Sequence, residues 1–276
     1  MFRILFNFAF ELIINSTFNN FLHKRMPKIS AAIITFNEEK NIERCIKSLV
    51  EVSDEVIVVD SGSTDSTIEI ANNLGAKVIF NKFEGHIQQK NFAITQTSND
   101  WVISLDADEA LSNELKSSIL KSKENLFGDG YKFNRLTNYC GKWIKHCGWY
   151  PDTKIRLFRK GKGTWGGKNP HDKYILSNGD AIHLKGDILH YTFYEVKEHK
   201  AQIEKFSNIA AQSLFELNKK SSWSLIIVKT VFKFIRNYFL KLGFMDGITG
   251  FHICRLSAHA TYLRYYKLLK LQKGHE

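Results

Sequence analysis

The chain is short of the features that would divide it or fix it covalently. Its 276 residues include only 3 prolines, and no Ser- or Gly-rich linker interrupts it, which argues against two domains on a flexible tether. The 4 cysteines, Cys45, Cys140, Cys147 and Cys254, form no CxxC pair and show no zinc spacing. Free thiols in a reducing cytoplasm are the expectation. No apolar run of about 18 or more residues is free of charge, so no bilayer-spanning helix is expected. Internal repeats and low-complexity tracts are also missing.

What is present is ordinary globular material. Hydrophobic content of 43% and charged content of 24% exclude global disorder, and the length suffices for a sizeable core. The formal net charge of +11 asks for a polyanionic neighbour: nucleic acid, an anionic membrane surface or a phosphorylated substrate. The basic excess is concentrated after residue 115.

Residues 1–26 read as an N-terminal extension. MFRILFNFAFELIINSTFNN is apolar but broken by Asn7 and Glu11, and no small-residue cleavage site follows. An interfacial helix and an over-long start ahead of Met26 both account for it. No catalytic role is assigned to it.

From Ile29 the pattern alternates strand and helix. Ile29–Thr35 is a short apolar run bounded by polar residues, as a buried strand requires. Ile42, Cys45, Ile46, Leu49 and Val50 then recur at helical spacing, with Asn37 as a candidate N-cap. EVIVVD (55–60), AKVIF (76–80) and WVISLD (101–106) read as further strands, with helices over 66–74 and 87–97. Gly75 is the expected stop of the first of these. Three strand–helix–strand units in succession imply a parallel sheet with right-handed crossovers, whose ligands gather at the strands' carboxyl ends. Thr35 to Glu38, Asp60 to Asp65 and Asp106 to Glu109 all follow a strand end and are expected on one rim. Beyond this, 113–123 reads as helix, 131–135, 154–159 and 180–189 as strands, and 196 to the end as helices.

Asp106-Ala107-Asp108-Glu109 is the sharpest chemical signal. Two carboxylates one residue apart at a strand end suit a hard cation, magnesium or manganese, which would bridge the phosphates of a nucleotide donor. An acidic turn that caps the next helix would look the same in isolation; the shared rim favours the metal. In Asp60-Ser61-Gly62-Ser63-Thr64-Asp65, a strand-end carboxylate faces a nucleobase or ribose, while glycine and hydroxyls allow a tight turn beside a ligand. A self-capped loop is the alternative, and both can hold.

The order TFNEE, VVDSGSTDST, Lys90-Asn91 and LDADE resembles the family 2 glycosyltransferases over roughly Ile29 to Leu189. The resemblance implies an α/β GT-A nucleotide-sugar-binding fold: a mostly parallel central sheet flanked by helices, with a C-terminal helical extension. It implies a catalytic domain over 27–195; residues 196–276, beyond the resemblance, read from their own pattern as a helical, membrane-associating region. It further implies that Thr35, Asn37 and Glu38 line the nucleoside pocket, with Asp60 reading the uracil beside Ser61, Gly62 and Ser63. Lys90 would sit near diphosphate or ribose, Asp106 would face donor sugar or ribose, and Asp108 would hold the metal.

GWYPDTKIRLFRK, TWGGKNPHDKY and LHYTF look like the branch that attaches glucose or a similar hexose to inner-core heptose of bacterial lipopolysaccharide. That branch carries a His-Glu pair where this chain has His171-Asp172. Asp172 is therefore the candidate general base of an inverting transfer from a UDP-sugar. Its alternative role is to brace a neighbouring strand. His171 and His190 are candidate phosphate or metal neighbours, Trp143, Trp149, Tyr150 and Trp165 candidate sugar-stacking aromatics. Arg156, Arg159, Lys160 and Lys162 suit either acceptor phosphates or a solvated face.

WSLIIVKTVFKFIRNYFLKLGF has the pattern of a basic interfacial helix, and a helix docked on the catalytic domain explains its apolar residues equally well. The expected partners are a nucleotide-sugar donor, a lipopolysaccharide or glycolipid acceptor and an anionic membrane surface, with no nucleic acid. The expected location is the cytoplasm, at the cytoplasmic face of the inner membrane. A nucleotidyltransferase would need a Gly-rich loop where Thr35-Phe36-Asn37-Glu38 stands. A nucleic-acid binder would lack the acidic rim. A polyprenyl-phosphate acceptor would suit spanning helices that are not found here, and a non-catalytic sugar-nucleotide binder is separated only by assay.

Overall fold

A computed structural model describes residues 26–168 and 171–274 of the chain. The N-terminal segment 1–25, read above as an extension, lies outside the described residues. The side chains of Lys168 and His171 do as well, and with them the role expected for His171.

The first half alternates as the pattern predicts. Strands β1 (Ile29–Thr35), β2 (Glu55–Asp60), β3 (Lys77–Phe80) and β4 (Trp101–Asp106) are joined by helices α1 (Ile42–Leu49), α2 (Thr67–Asn73) and α3 (His86–Thr95). The strands pair in parallel in the order β3-β2-β1-β4. Gly75 adopts φ +78° just past α2, the left-handed stop expected of it. Every residue of β1 is buried because its side chains alternate between two covered faces. Ile29, Ala31 and Ile33 meet Ile42, Cys45, Ile46 and Leu49 of α1 in one core. Ala32 and Ile34 meet Ala93 of α3 in a second. Each fully buried isoleucine contributes about 2 kcal/mol of transfer free energy.

The second half is mixed. It comprises β5 (Glu109–Leu111), α4 (Asn113–Lys123), β6 (Gly130–Tyr139), β7 (Lys142–Ile144), β8 (Asp152–Arg159) and β11 (Ile182–Phe193). β8 joins β4 antiparallel, β6 joins β8 antiparallel, and β11 runs parallel to β6. The result is a nine-stranded sheet ordered β3-β2-β1-β4-β8-β6-β11-β5, with β7 beside β6. A separate antiparallel ribbon, β9 (Gly163–Lys168) and β10 (His171–Leu176), packs on the second face. There Trp165 and Tyr174 join the second core, and Tyr174 stacks on Phe158 of β8 at a ring separation of 3.6 Å.

Helices α5 (Val196–Glu216), α6 (Trp223–Ile235) and α7 (Gly247–Lys273) follow, with a π-helical turn at Arg236–Leu240 and a 3-10 turn at Gly243–Asp246. Ser222 caps α6 by accepting the Leu225 amide at 3.3 Å. A third core of Tyr139, Ile144, Cys147, Phe193, Ile253 and Cys254 joins the sheet's far end to α7. All four cysteines are free.

Candidate active site

The register fixes the rim. Thr35 is paired with Asp60, and Ile34 with Asp106, so the carboxyl ends of three neighbouring strands lie side by side. A cavity of about 1100 Å³ opens there, lined by Thr35, Glu38, Ser61, Lys90, Asp106 and Asp108, and across from them by Arg135, Arg156, Trp165, Asp172 and His190. Of the expected site residues, Asn37, Asp60, Gly62 and Ser63 do not line this cavity.

Their hydrogen bonds explain why. Asp60 is 1% exposed, and its Oδ2 accepts the Gly62 amide at 2.7 Å and the Ser63 amide at 2.8 Å, while Ser63 Oγ donates to Oδ1 at 2.5 Å. Gly62 turns with φ +96°, which a side chain would resist. Asn37 does not cap α1. That helix starts at Ile42 behind Asn41, whereas Asn37 sits in the left-handed region at φ 54°. Its amide donates to Ser63 Oγ at 2.8 Å and its Oδ1 accepts the Thr64 amide at 2.8 Å. A short polar side chain tolerates that conformation and ties the β1 loop to the β2 loop. Asp65 accepts the Thr67 amide at 3.0 Å at the start of α2.

The cavity floor is a row of charges of alternating sign. Asp152 Oδ2 accepts from Arg135 Nη2 at 2.7 Å, and Arg135 Nη1 lies 3.3 Å from Glu109 Oε1. Arg156 Nη2 bridges Glu109 Oε1 at 2.8 Å and Asp106 Oδ2 at 3.2 Å. Lys90 Nζ lies 2.9 Å from Asp106 Oδ1 and 2.7 Å from Asp172 Oδ2. The side chains of Lys90, Arg156 and Glu109 are at most 3% exposed, so each charge depends on its neighbours to offset desolvation. Burial works to raise the Asp106 carboxyl, but Lys90 and then Arg156 outweigh it and hold it well below the usual carboxylate range. Burial likewise opposes the Arg156 charge, and Glu109 and Asp106 more than restore it, lifting the guanidinium above its ordinary value.

Asn91, beside Lys90, reaches the ribbon. Its Oδ1 accepts the Trp165 amide at 3.0 Å and its Nδ2 donates to the Trp165 carbonyl at 3.0 Å. That clamp places the Trp165 ring 4.5 Å from Lys90 Nζ and 5.2 Å from the Arg156 guanidinium, a cation–π roof over the row. It also delivers Asp172 of β10 to Lys90 of α3. Trp149, by contrast, packs edge-on against Tyr139, and Trp143 against Tyr191. Tyr150 donates to Asp187 at 3.0 Å. Trp165 is the member of the aromatic set that lines the cavity.

At the other end, His190 Nε2 lies 3.1 Å from Asp108 Oδ2, and Thr192 Oγ1 lies 2.8 Å from His190 Nδ1. Burial pushes the Glu38 carboxyl up to about 7, against its Asn41 hydrogen bond, and the charges of Asp108, Asp65 and Asp106 add to the rise. Among the described residues no group of three or more His, Cys, Asp or Glu side chains is arranged to hold a metal by itself. A divalent ion held by Asp108, with His190 beside it, would have to complete its shell with substrate phosphates and water.

Sequence reasoning assigned no role to Glu109 or Asn91 and left Arg156 between acceptor phosphates and a solvated face. Arg156 falls at the register shift between the Tyr131–Leu157 and Lys132–Ile155 pairs, an irregularity that a period-2 pattern does not announce.

Residues 30–173 match the family described as "Glycosyl transferase family 2". An "uncharacterized glycosyltransferase" of Rickettsia typhi is 34% identical over 89% of this chain and 88% of its own length. The lipopolysaccharide core biosynthesis glycosyltransferase LpsC of Rhizobium meliloti is 28% identical over 87% of this chain and 94% of its own. Among solved structures, glucosyl-3-phosphoglycerate synthase of Mycobacterium tuberculosis with Mn2+, UDP and glucosyl-3-phosphoglycerate aligns at 30% identity over 42% of this chain and 45% of that one, with a TM-score of 0.33.

Proposed function

Because this chain belongs to the family 2 glycosyltransferases, we propose that it moves a hexose, glucose, from a UDP-sugar to an inner-core heptose of lipopolysaccharide, with inversion. The catalytic part is residues 27–195, and residues 196–276 hold it beside its acceptor. The likeness to LpsC along most of both chains supports the acceptor class. The observation that carries the chemistry is the convergence of Lys90, Asp106, Asp108, Arg156 and Asp172 on one cavity at the sheet's carboxyl edge.

Asp172 serves as general base. Its carboxylate takes the acceptor hydroxyl proton as that oxygen bonds to the anomeric carbon, and the bond from that carbon to the diphosphate oxygen breaks with its electron pair leaving on the diphosphate. A single displacement of this kind inverts the configuration. Arg156 faces the developing charge: its Nε and Nη1 are buried with no acceptor among the described residues, so both are available as preorganised donors. Asp108 and His190 would hold the divalent ion, which when bound neutralises the diphosphate. Thr35, Glu38 and Ser61 line the nucleoside side. Asp60, Gly62, Ser63 and Asn37 shape that side without lining the cavity.

Lys90 is the ion-pair partner of Asp172. The donor's diphosphate competes for the same ammonium and leaves the carboxylate free to accept a proton. Lipopolysaccharide is lipid-anchored and nucleotide sugars are cytoplasmic, so the reaction belongs at the cytoplasmic face of the inner membrane.

The deciding experiment incubates the protein with a panel of nucleotide sugars and purified truncated lipopolysaccharide cores, with and without magnesium or manganese, and reads mass gain. A single hexose added from UDP-glucose, dependent on the ion, is the expected result. No mass gain with any donor would remove the reading.

A further inference from the structure

We propose that the surface formed by residues 223–251 docks on an anionic lipid bilayer and lies in its headgroup layer without crossing it. The docking follows from the surface alone and does not depend on the sugar-transfer reading.

Of the 26 exposed large apolar side chains among the described residues, 13 fall between Trp223 and Phe251. Single exposed apolar residues are ordinary on any protein, but such a concentration marks an interaction surface. Helix α6 buries only the Ile226 side chain, while Val228 is 63% exposed. At the turn beyond it Leu240 is 69% exposed and Ile248 71%.

That turn is rigidly built. Leu242 takes the left-handed conformation at φ 52°, strained for a branched side chain. A Cβ on the next residue, Gly243, would stand 2.7 Å from Cys254 Sγ and 2.8 Å from the Asn237 carbonyl. The reversal is therefore fixed by close packing on α7, and its apolar side chains are held outward.

Charge selects the occupant. Between residues 223 and 274 the chain has nine lysines and arginines and one acidic residue, Asp246. Asp246 is 5% exposed and is used up by the His146 amide at 2.9 Å and the His146 ring at 3.0 Å. Lys229, Arg236, Lys241 and Arg255 are exposed, and each cation near an anionic bilayer is worth about 1 kcal/mol. A second copy of this chain would present the same positive face and be repelled. Length sets the depth: the 13 residues of α6 span about 20 Å, short of the roughly 30 Å hydrocarbon core. No helix among the described residues is long and apolar enough to cross a membrane.

The arrangement also suits the cavity. Gln202 and Phe206 of α5 line it, and α5 is tied to α7 by Lys267, whose Nζ donates to Ser207 Oγ at 2.7 Å. The wall of the site and the docking layer are thus one helical unit.

Co-sedimentation of the full chain with phosphatidylcholine vesicles, with and without phosphatidylglycerol, tests this. Binding should require phosphatidylglycerol and weaken with salt. Leu240→Asp with Ile248→Asp should lower it about tenfold or more, and Lys229→Gln or Arg236→Gln about fivefold each. Thermal midpoint and donor turnover on a detergent-soluble acceptor should stay unchanged, because these side chains are exposed and outside the cavity. Three results would overturn the proposal: no binding by the wild-type chain, equal binding by the Leu240/Ile248 variant, or a dimer in light scattering that this variant dissolves.

Discussion

The parallel half of the sheet and the C-terminal helices use the same residue types in opposite ways. In β1, β2 and β4 the apolar residues are inside, and the charges at the rim are paired in a row from Asp152 to Asp172. In α6 and the turn after it the apolar residues are outside. The first arrangement spends burial on holding charge in place; the second leaves apolar surface for another phase to cover. Burial is thus a measure of what each region is for: the sheet is organised around a reacting group, the helices around a surface.

Five changes sharpen that contrast. Asp172→Asn should lower transfer about a thousandfold, the usual weight of a general base, while donor binding measured by calorimetry stays near wild type. Near-normal turnover would remove Asp172 from the chemistry. Arg156→Met should cost about 3 kcal/mol of stability, because Glu109 and Asp106 lose a buried counter-ion. A thermal midpoint within a degree or so of wild type would show the row to be dispensable.

Glu38 supplies the pH-dependent case. Its carboxyl titrates near 4.5 when unfolded and at about 7 in the folded chain. The folded form therefore binds the proton more tightly, and Glu38 costs stability increasingly from pH 4.5 to 7, with the full cost above that. Glu38→Gln should stabilise the protein by about 1 kcal/mol above pH 7, after discounting for partial exposure, and leave stability unchanged below 4.5. A variant with the wild-type pH profile would sink this account. The smallest effect belongs to the helices: Val228→Ser should change stability by less than about 0.5 kcal/mol. Ile33→Ala, at 0% exposure, should cost about 3 kcal/mol. Equal losses in denaturant titrations would erase the distinction between the two regions.

The sequence was most legible where local and global signals coincide. Strands β1 to β4 and helices α1 to α3 fall within a few residues of their expected bounds, since each follows one period and buries one or two faces. The carboxylates at strand ends were legible for the same reason. The second half was not. Strands β5 and β7 are three residues each, and β9 begins Gly-Thr-Trp-Gly-Gly, too little pattern to separate from a loop. Asn37 was misread as a cap because its partner, Thr64, is distant in sequence. Glu109 and Asn91 gained their roles only when β8 and the ribbon came to meet them.

The charged row has a consequence for acid. Burial alone would favour proton uptake by Asp106 and by Asp152, but Lys90 and Arg156 for the first, and Arg135 for the second, hold both below the usual carboxylate range. The stability they lend is present at neutral pH and is lost as pH falls through their depressed values. Each carboxylate shares a cation with the next, so a proton taken up by one leaves that cation wholly to its neighbour and makes the neighbour harder to protonate. Acidification should therefore undo this part of the molecule over a broad span of pH, as a set of latches released one after another rather than as a lock that opens whole.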